Sequence, residues 1–463
     1  MDLDWIHKFF EGQQTLKEEA KQMLPLKCTL TGRVNHIRTC GKKMFFLILR
    51  SQEKTLQVIF REDKDNLPDL TRALMKEYSK ITPESIVKIT GKLIESPEPI
   101  KNATLKTLEL VAESLELIVK SEVVPLQIYK PDGLLETRLQ HRVLDLRAQQ
   151  NQIIFQIQSQ ILNLTTQFFN DKGFLWLPFP KILGGTSESG SEAFKVDYFG
   201  KEAFLAQSPQ LYKQMAINAG FRKVYTVGPV FRAENSHTSR HLTEFTGIDF
   251  EMEIEDRKTV LELAYNLIQT IFKEIKKNNS SRFSLWEALT EKPFDFPLIA
   301  ENPVIIEYQK ASYLLDEANV EVEFPEDFNN TDLLKLADLV KTHYYTDLFI
   351  LDKFPIGSRA FYTQPDPEDS EQSLGYDLIF RGKEILSGAQ RVSDYELLKE
   401  KMDAAGLQGT EGSLDDYLES FKYASHSHAG GGFGLERIMM AYFNLPNIRN
   451  FSVFPRDPSL LNP

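Results

Sequence analysis

The chain has 463 residues, 42% hydrophobic and 26% charged, with a formal net charge of −12, a composition typical of a globular protein long enough for two or three domains. The acidic balance argues against non-specific nucleic-acid binding by the whole surface. There is no N-terminal apolar segment and no run of eighteen apolar residues, so a cytoplasmic protein with no membrane partner is expected. Cys28 and Cys40 are too few for a disulfide framework and lack metal-ligand spacing.

Residues 1–25 are expected to form a helical appendage. Trp5, Phe9 and Leu16 recur at helical spacing between Asp4 and Met23, and Pro25 stops the helix. Residues 26–119 carry the β-rich runs CTLTGRVNHIR, MFFLILRS, TLQVIF, SIVKITGKLI and TLELVAESLELI, with a helix from Asp69 to Lys80 between the third and fourth. Five strands with a helix after the third is the pattern of an OB-fold barrel, a module that binds single strands by stacking and a basic groove. Between Lys21 and Phe60 eight Lys or Arg stand against one acid, Glu53. Phe46, between Arg38 and Gln57, is a stacking candidate on that basic stretch, although a phenylalanine beside Phe45 in a strand is more often a core residue.

Residues 120–143, with Pro125, Pro131 and Gly133, are expected as a hinge, and 144–463 as a second, larger domain. A helix from about Ala148 to Asp171 has an apolar stripe at Ile154, Ile157, Ile161, Leu164 and Phe168, ends at Gly173, and leads into the strand FLWLPFP. The stripe suits a monomer's own core as well as a subunit seam. TSESGSEAF (186–194) is a small loop whose Glu188, taken alone, is a solvated acid. In FLAQSPQLYKQM, Ser208 is a good N-cap and Pro209 a good first helical residue. Gln210 and Lys213 then share a helix face.

The stretch Gly228–Glu253, GPVFRAENSHTSRHLTEFTGIDFEME, has the form of two strands joined by a polar loop. Alternation in the second strand puts Phe245, Gly247, Asp249, Glu251 and Glu253 on one face and Ile248, Phe250 and Met252 on the other. Arg232 can take a phosphate as a planar fork and Phe245 can stack on a base, although a charged surface hairpin has the same pattern. A helix follows from Lys258 to Lys276. Residues 281–357 carry no motif and are expected as an insertion. DLIFRGKEILSGAQR (377–391) is a hairpin turned at Arg381-Gly382, and GGGFGLERIMM (430–440) is a glycine-rich run entering a helix, neither a GxGxxG fingerprint nor a Walker A loop.

FRAENSHTSRHLTEF resembles motif two of the class II aminoacyl-tRNA synthetases, in the wording of the aspartyl enzymes of eukaryotic and archaeal type. The helix and strand ending at Pro180 resemble motif one, with Phe179 where relatives usually have threonine, and GGGFGLERIMM resembles motif three. The resemblance implies an α+β fold: an N-terminal OB-fold β-barrel plus a class II antiparallel sheet flanked by helices, assembled as a homodimer through motif one. It implies activation of L-aspartate by ATP and transfer to the 3′ end of tRNA(Asp). ATP would be held by Arg232, Glu234, Arg240, His241, Leu242, Phe245, Glu384, Gly432, Gly434 and Arg437, with Arg232 and Arg437 as the catalytic cations. Aspartate would be held by Glu188, Ser208, Gln210, Lys213, Asp249, Ser387 and Arg391, Mg²⁺ by Glu384 and Ser387, and the anticodon by Arg38, Phe46, Gln57 and Glu109. Lys213 and Arg391 are expected to clamp the substrate's side-chain carboxylate, two cations that would repel each other across an empty pocket. Asparaginyl relatives lack a lysine at the Lys213 position, a lysyl enzyme would need an acid for its substrate's side chain, and an inactive paralogue would have lost Arg232, Arg437 or Glu384.

Overall fold

Period-two alternation of apolar residues builds a closed barrel from β1 (Leu26–Thr39), β2 (Met44–Ser51), β3 (Lys54–Arg61), β4 (Ile86–Glu95) and β5 (Leu108–Val119), in the order β1-β2-β3-β5-β4. In the computed structural model, which describes residues 2–11, 18–41, 44–61, 76–128, 133–186, 193–320, 328–407 and 413–462, the chain forms two units: residues 1–154 with 280–292, and 155–279 with 293–462.

In the first unit Phe45, Leu47 and Leu49 of β2 and Leu56, Val58 and Phe60 of β3 point into the barrel, with Phe45 stacked on Phe60 at 4.4 Å. Burying side chains of this size contributes roughly 1.5–3 kcal/mol each. Leu3, Ile6 and Phe10 of the N-terminal turns join that core. Trp5 and Phe9, two of the residues at helical spacing, stack on each other at 4.8 Å on the exposed side. The helix expected over 69–80 falls largely outside the described residues, with 76–78 helical.

The second unit holds an eight-stranded sheet in the order β12-β13-β14-β15-β16-β11-β10-β6, from β6 (Leu175–Trp176), β10 (Lys223–Phe231), β11 (Glu244–Glu253), β12 (Ile305–Glu307), β13 (Leu348–Asp352), β14 (Gly375–Phe380), β15 (Lys383–Gln390) and β16 (His428–Gly434). Its inner pairings are antiparallel, while β12 on β13 and β6 on β10 are parallel. A small sheet, β7-β9-β8, comes from β7 (Ile182–Leu183), β8 (Lys195–Tyr198) and β9 (Lys201–Leu205). Five of the helices are α1 (Gln149–Asp171), α2 (Gln210–Asn218), α3 (Lys258–Asn278), α4 (Ser413–Phe421) and α5 (Leu435–Tyr442).

The apolar spacing of α3 buries Val260, Leu261, Ala264, Leu267, Ile268, Ile271 and Phe272, and the helix packs on β13 and β14, every residue of which is buried. On α1 the stripe runs through Ile157, Ile161, Thr165 and Phe169 rather than Leu164 and Phe168, and Phe169 stacks on Tyr225 at 4.8 Å. The hairpin turn is as expected: Arg381 and Gly382 have φ of 50° and 68°, the two positive values of a type I′ turn.

The stretch 281–357 divides between the units. Helix Ser280–Thr290 belongs with the barrel, where Arg282 lies 3.9 Å from Glu53, while β12 and β13 are strands of the large sheet. Among the described residues no helix is long and apolar enough to cross a membrane.

Candidate active site

A cavity of about 300 Å³ opens over the middle of the large sheet. Its walls include Ser208, Gln210 and Lys213 at the start of α2; Arg232, Glu234, Arg240, His241, Leu242, Phe245 and Asp249 from β10, β11 and their loop; Glu384, Ser387 and Arg391 at β15; and Gly432, Gly434 and Arg437 at the passage from β16 to α5. Residues more than 200 positions apart thus meet in one cleft, because β11, β16 and β15 are neighbours in the sheet. Glu188 lies outside the described residues. α2 begins at Gln210, one residue later than expected, and the Gln210 amide donates to Ser208 Oγ at 3.2 Å.

The floor of the cleft is a buried ion network. Arg391 donates from Nε and Nη2 to the two oxygens of Glu251, at 2.9 and 3.1 Å. Lys213 Nζ lies 3.5 Å from Glu251, donates to Asp249 Oδ1 at 3.3 Å and donates to the Gly431 carbonyl at 3.2 Å. Burial alone would push the Glu251 carboxyl up, but Arg391 and then Lys213 outweigh it and hold it below its usual value. Burial would likewise lower the Arg391 guanidinium, which Glu251 holds above its usual range. The two cations therefore do not face each other across an empty pocket. Glu251, on the polar face of β11, stands between them, and by formal charge Lys213, Arg391, Asp249 and Glu251 balance.

The glycines of β16 are shaped by this network. A Cβ at Gly430 would overlap the Glu251 carboxylate, and one at Gly432 would stand 2.7 Å from Asp249 Oδ1, so side chains there would displace the acids.

On the opposite side of the cleft Arg232 lies over the Phe245 ring at 5.6 Å and 4.0 Å from Glu234, leaving a cation and an aromatic face side by side. His241 is held by Thr238 and Ser236 at Nδ1, and burial lowers its pKa, against the pull of Glu234. Arg240 donates to Asn330 at 2.6 Å. Arg437 reaches Glu384 Oε1 at 3.3 Å.

Glu384 and Ser387 are three residues apart, which in an unbroken strand would put them on opposite faces. The register of β15 on β14 shifts between Leu378↔Leu386 and Ile379↔Glu384, inserting Ile385 as an extra residue, and both side chains line the cleft. One carboxylate and one hydroxyl, both hard oxygen donors at an open polar wall, fit a Mg²⁺ that keeps most of its waters. Among the described residues no group of three or more His, Cys, Asp or Glu forms a dedicated metal cage.

Sequence reasoning gave no role to three residues of this region. Glu251 stood on the right face of β11, but its partner Arg391 is 140 positions away. Arg359 follows the motif-free stretch; it grips Asp377 at 3.0 and 2.8 Å and donates to Ser387 Oγ at 3.1 Å. Glu436 sits in the glycine-rich motif itself, and its carboxylate accepts from the Thr246 amide at 3.2 and 3.0 Å, tying α5 to β11.

In the barrel, Arg38 pairs with Phe46, Phe46 with Ile59, Ile48 with Gln57 and Gln57 with Glu109. Because Phe45 and Leu47 face the core, these four candidates share the outer face of the barrel. Phe46 is half-buried, and Gln57 Nε2 donates to Glu109 at 3.1 Å. Burial pushes the Glu109 carboxyl up.

Burial raises the Glu436 pKa from 4.5 to about 7. The folded chain thus binds this proton more tightly than the unfolded chain, so the contribution is complete below about pH 4.5 and is lost as pH rises through 7. The size is on the order of 3 kcal/mol. Glu436→Gln keeps an acceptor for Thr246 without the titration. Urea unfolding at pH 5 and pH 8 should show the native chain losing that much more stability than the variant, and parallel losses would contradict this account.

The family of tRNA synthetases class II (D, K and N) matches residues 134–458, and the OB-fold nucleic acid binding domain matches 28–118. The cytoplasmic aspartate–tRNA ligase of Caenorhabditis elegans is 39% identical over 455 residues, covering 93% of this chain and 84% of the relative. Among solved structures, the aspartyl-tRNA synthetase of Entamoeba histolytica superposes with a TM-score of 0.85 at 37% identity, covering 95% of this chain and 90% of that one. The asparaginyl-tRNA synthetase of Pyrococcus horikoshii, complexed with asparaginyl-adenylate, gives 0.80 at 27%, covering 96% and 98%. The chain belongs to the class II tRNA synthetases (D, K and N), and within them to the aspartate–tRNA ligases.

Proposed function

We propose that this chain activates L-aspartate with ATP and transfers the aspartyl group to the 3′ end of tRNA(Asp). The observation that carries this reading is the floor of the cleft: two cations, Lys213 and Arg391, reach it beside the acids Asp249 and Glu251, in the same cavity as Arg232 and Arg437. Lysine and guanidinium offer donors only, so they suit a side-chain carboxylate and leave the NH₂ of asparagine facing donors. Asp249, with Glu188, would receive the substrate ammonium.

The chemistry calls for no side-chain nucleophile. An oxygen of the aspartate α-carboxylate attacks the α-phosphorus, and the bond to the bridging oxygen breaks to release pyrophosphate. In the second step a terminal ribose hydroxyl of the tRNA attacks the carbonyl carbon and AMP leaves. The protein's part is positioning and charge stabilisation. Arg232 would meet the α-phosphate while Phe245 stacks on adenine, and Arg437 with the His241 region would meet the outer phosphates. Glu384 and Ser387 would hold Mg²⁺, which when bound neutralises phosphate charge.

Truncating one member of a buried ion network typically costs on the order of 3–5 kcal/mol. Lys213→Leu should therefore lower aspartate kcat/KM in ATP–pyrophosphate exchange at least about 100-fold, with a much smaller change for asparagine. A loss below tenfold, or native exchange that prefers asparagine, would sink the assignment.

We also read the outer face of the barrel, with Arg38, Phe46, Gln57 and Glu109, as the anticodon site. Loss of one stacked base is worth roughly 1–3 kcal/mol. Phe46→Ala is thus expected to raise KM for tRNA by about tenfold or more while leaving aspartate activation unchanged; a collapse of activation would mean that Phe46 is structural.

We also read motif one as a homodimer seam, a reading supported by the edge strand β6, whose Leu175 and Trp176 are about half exposed, with Ile182 exposed beside the same motif. Sedimentation should give twice the chain mass at micromolar concentration, and an active monomer there would rule the dimer out.

A further inference from the structure

From Gln210 in the cleft wall a chain of hydrogen bonds runs below the floor through Gln214, Tyr417 and His428, three side chains to which the reaction as described gives no work. Gln210 Nε2 donates to Gln214 Oε1 at 2.8 Å, and Tyr417 Oη donates to the same oxygen at 3.1 Å. Gln214 Nε2 meets His428 Nε2 at 3.1 Å, and His428 Nδ1 meets the His426 carbonyl at 2.7 Å. Gln214, Tyr417 and His428 are completely buried, and Gln210 nearly so. The four come from three elements: Gln210 and Gln214 lie one turn apart on α2, Tyr417 is on α4 and His428 opens β16.

The polarity of each link follows from the one before it. A backbone carbonyl only accepts, so His428 Nδ1 carries the hydrogen. Burial lowers the His428 pKa and keeps the ring neutral, which makes Nε2 an acceptor. Gln214 must then turn its NH₂ to the ring and its oxygen to Tyr417 and Gln210. Gln210 in turn spends its NH₂ on Gln214. Its carbonyl oxygen, among the described residues, has no protein partner, and Gln210 lines the cleft.

We propose that His428, acting through Gln214 and supported by Tyr417, fixes the amide of Gln210 with its oxygen toward the cleft, so that the site presents an acceptor to the substrate ammonium group. The three are positioning residues. The inference rests on the reading that this cleft binds an α-amino acid. If Gln210 were reversed, its NH₂ would face an ammonium with donors on both sides, and a carbonyl would face the Gln214 oxygen.

The test is ATP–pyrophosphate exchange with L-aspartate as the probe. Gln214→Met removes the relay at nearly constant volume and should raise the aspartate KM about tenfold, with the ATP KM within about twofold of native. Gln214→Glu turns an oxygen toward Gln210 whether it is neutral, donating its proton to His428, or ionised beside an imidazolium. It should hold the aspartate KM within about threefold of native. His428→Phe, which removes the acceptor that orients Gln214, supplies the same reading should Gln214→Met not fold, with an expected rise of about fivefold or more. Equal aspartate KM values for the Met and Glu variants, or an ATP KM that rises as much as the aspartate KM, would overturn the relay alone. Absence of aspartate-dependent exchange in the native enzyme would overturn the site reading and the relay with it.

Discussion

Glu251 is the group on which the cleft depends. It has no access to solvent, accepts from Nε and Nη2 of Arg391 and lies against Lys213, which in turn holds Asp249. A charge so placed is tolerable only because it is paired and hydrogen-bonded on every side. Pairing of this kind does not come cheaply in geometry: it needs β11 beside β16, glycine at 430 and 432 to clear room for the acids, and β15 beside β16 to bring Arg391 across. The order of the central strands and the glycines at 430 and 432 are thus what let the buried acids and their cations meet.

The same network sets what the cleft can do. By formal charge its floor is neutral before any ligand enters, so selectivity cannot rest on relief of repulsion between two bare cations. It rests on how donors and acceptors are distributed around an already balanced set. The Gln210–Gln214–His428 chain extends that logic below the floor, where a histidine tautomer determines which end of an amide faces the ligand. On the side where ATP is proposed to bind the demand is looser. Arg232, Arg437 and Glu384 are all partly exposed, as suits groups that must exchange one another and water for a highly charged ligand.

Much of the architecture could be read from local pattern. The barrel strands alternate because one face is core, β11 alternates for the same reason, and the type I′ hairpin announced itself as Arg381-Gly382. Most of the candidate site residues sit in contiguous motifs and line one cleft, although Glu436, inside the glycine-rich motif, was passed over. Where the pattern was weak the reading slipped by a residue: the stripe of α1 passes through Thr165 and Phe169 rather than Leu164 and Phe168. A helical stripe is only as precise as the partner surface that selects it.

The sequence by itself determined the element types, the two-module plan and the identity of the charged and aromatic groups offered to a ligand, because these follow from periodicity and side-chain chemistry over short distances. Only the tertiary structure decided who pairs with whom. Arg391 meets Glu251 across 140 residues, Arg359 reaches Ser387, and one extra residue at Ile385 turns Glu384 and Ser387 to the same face. Such pairings depend on strand order and register. In a sheet with side chains alternating at period two, a single-residue shift reverses a face, and no local spacing records it.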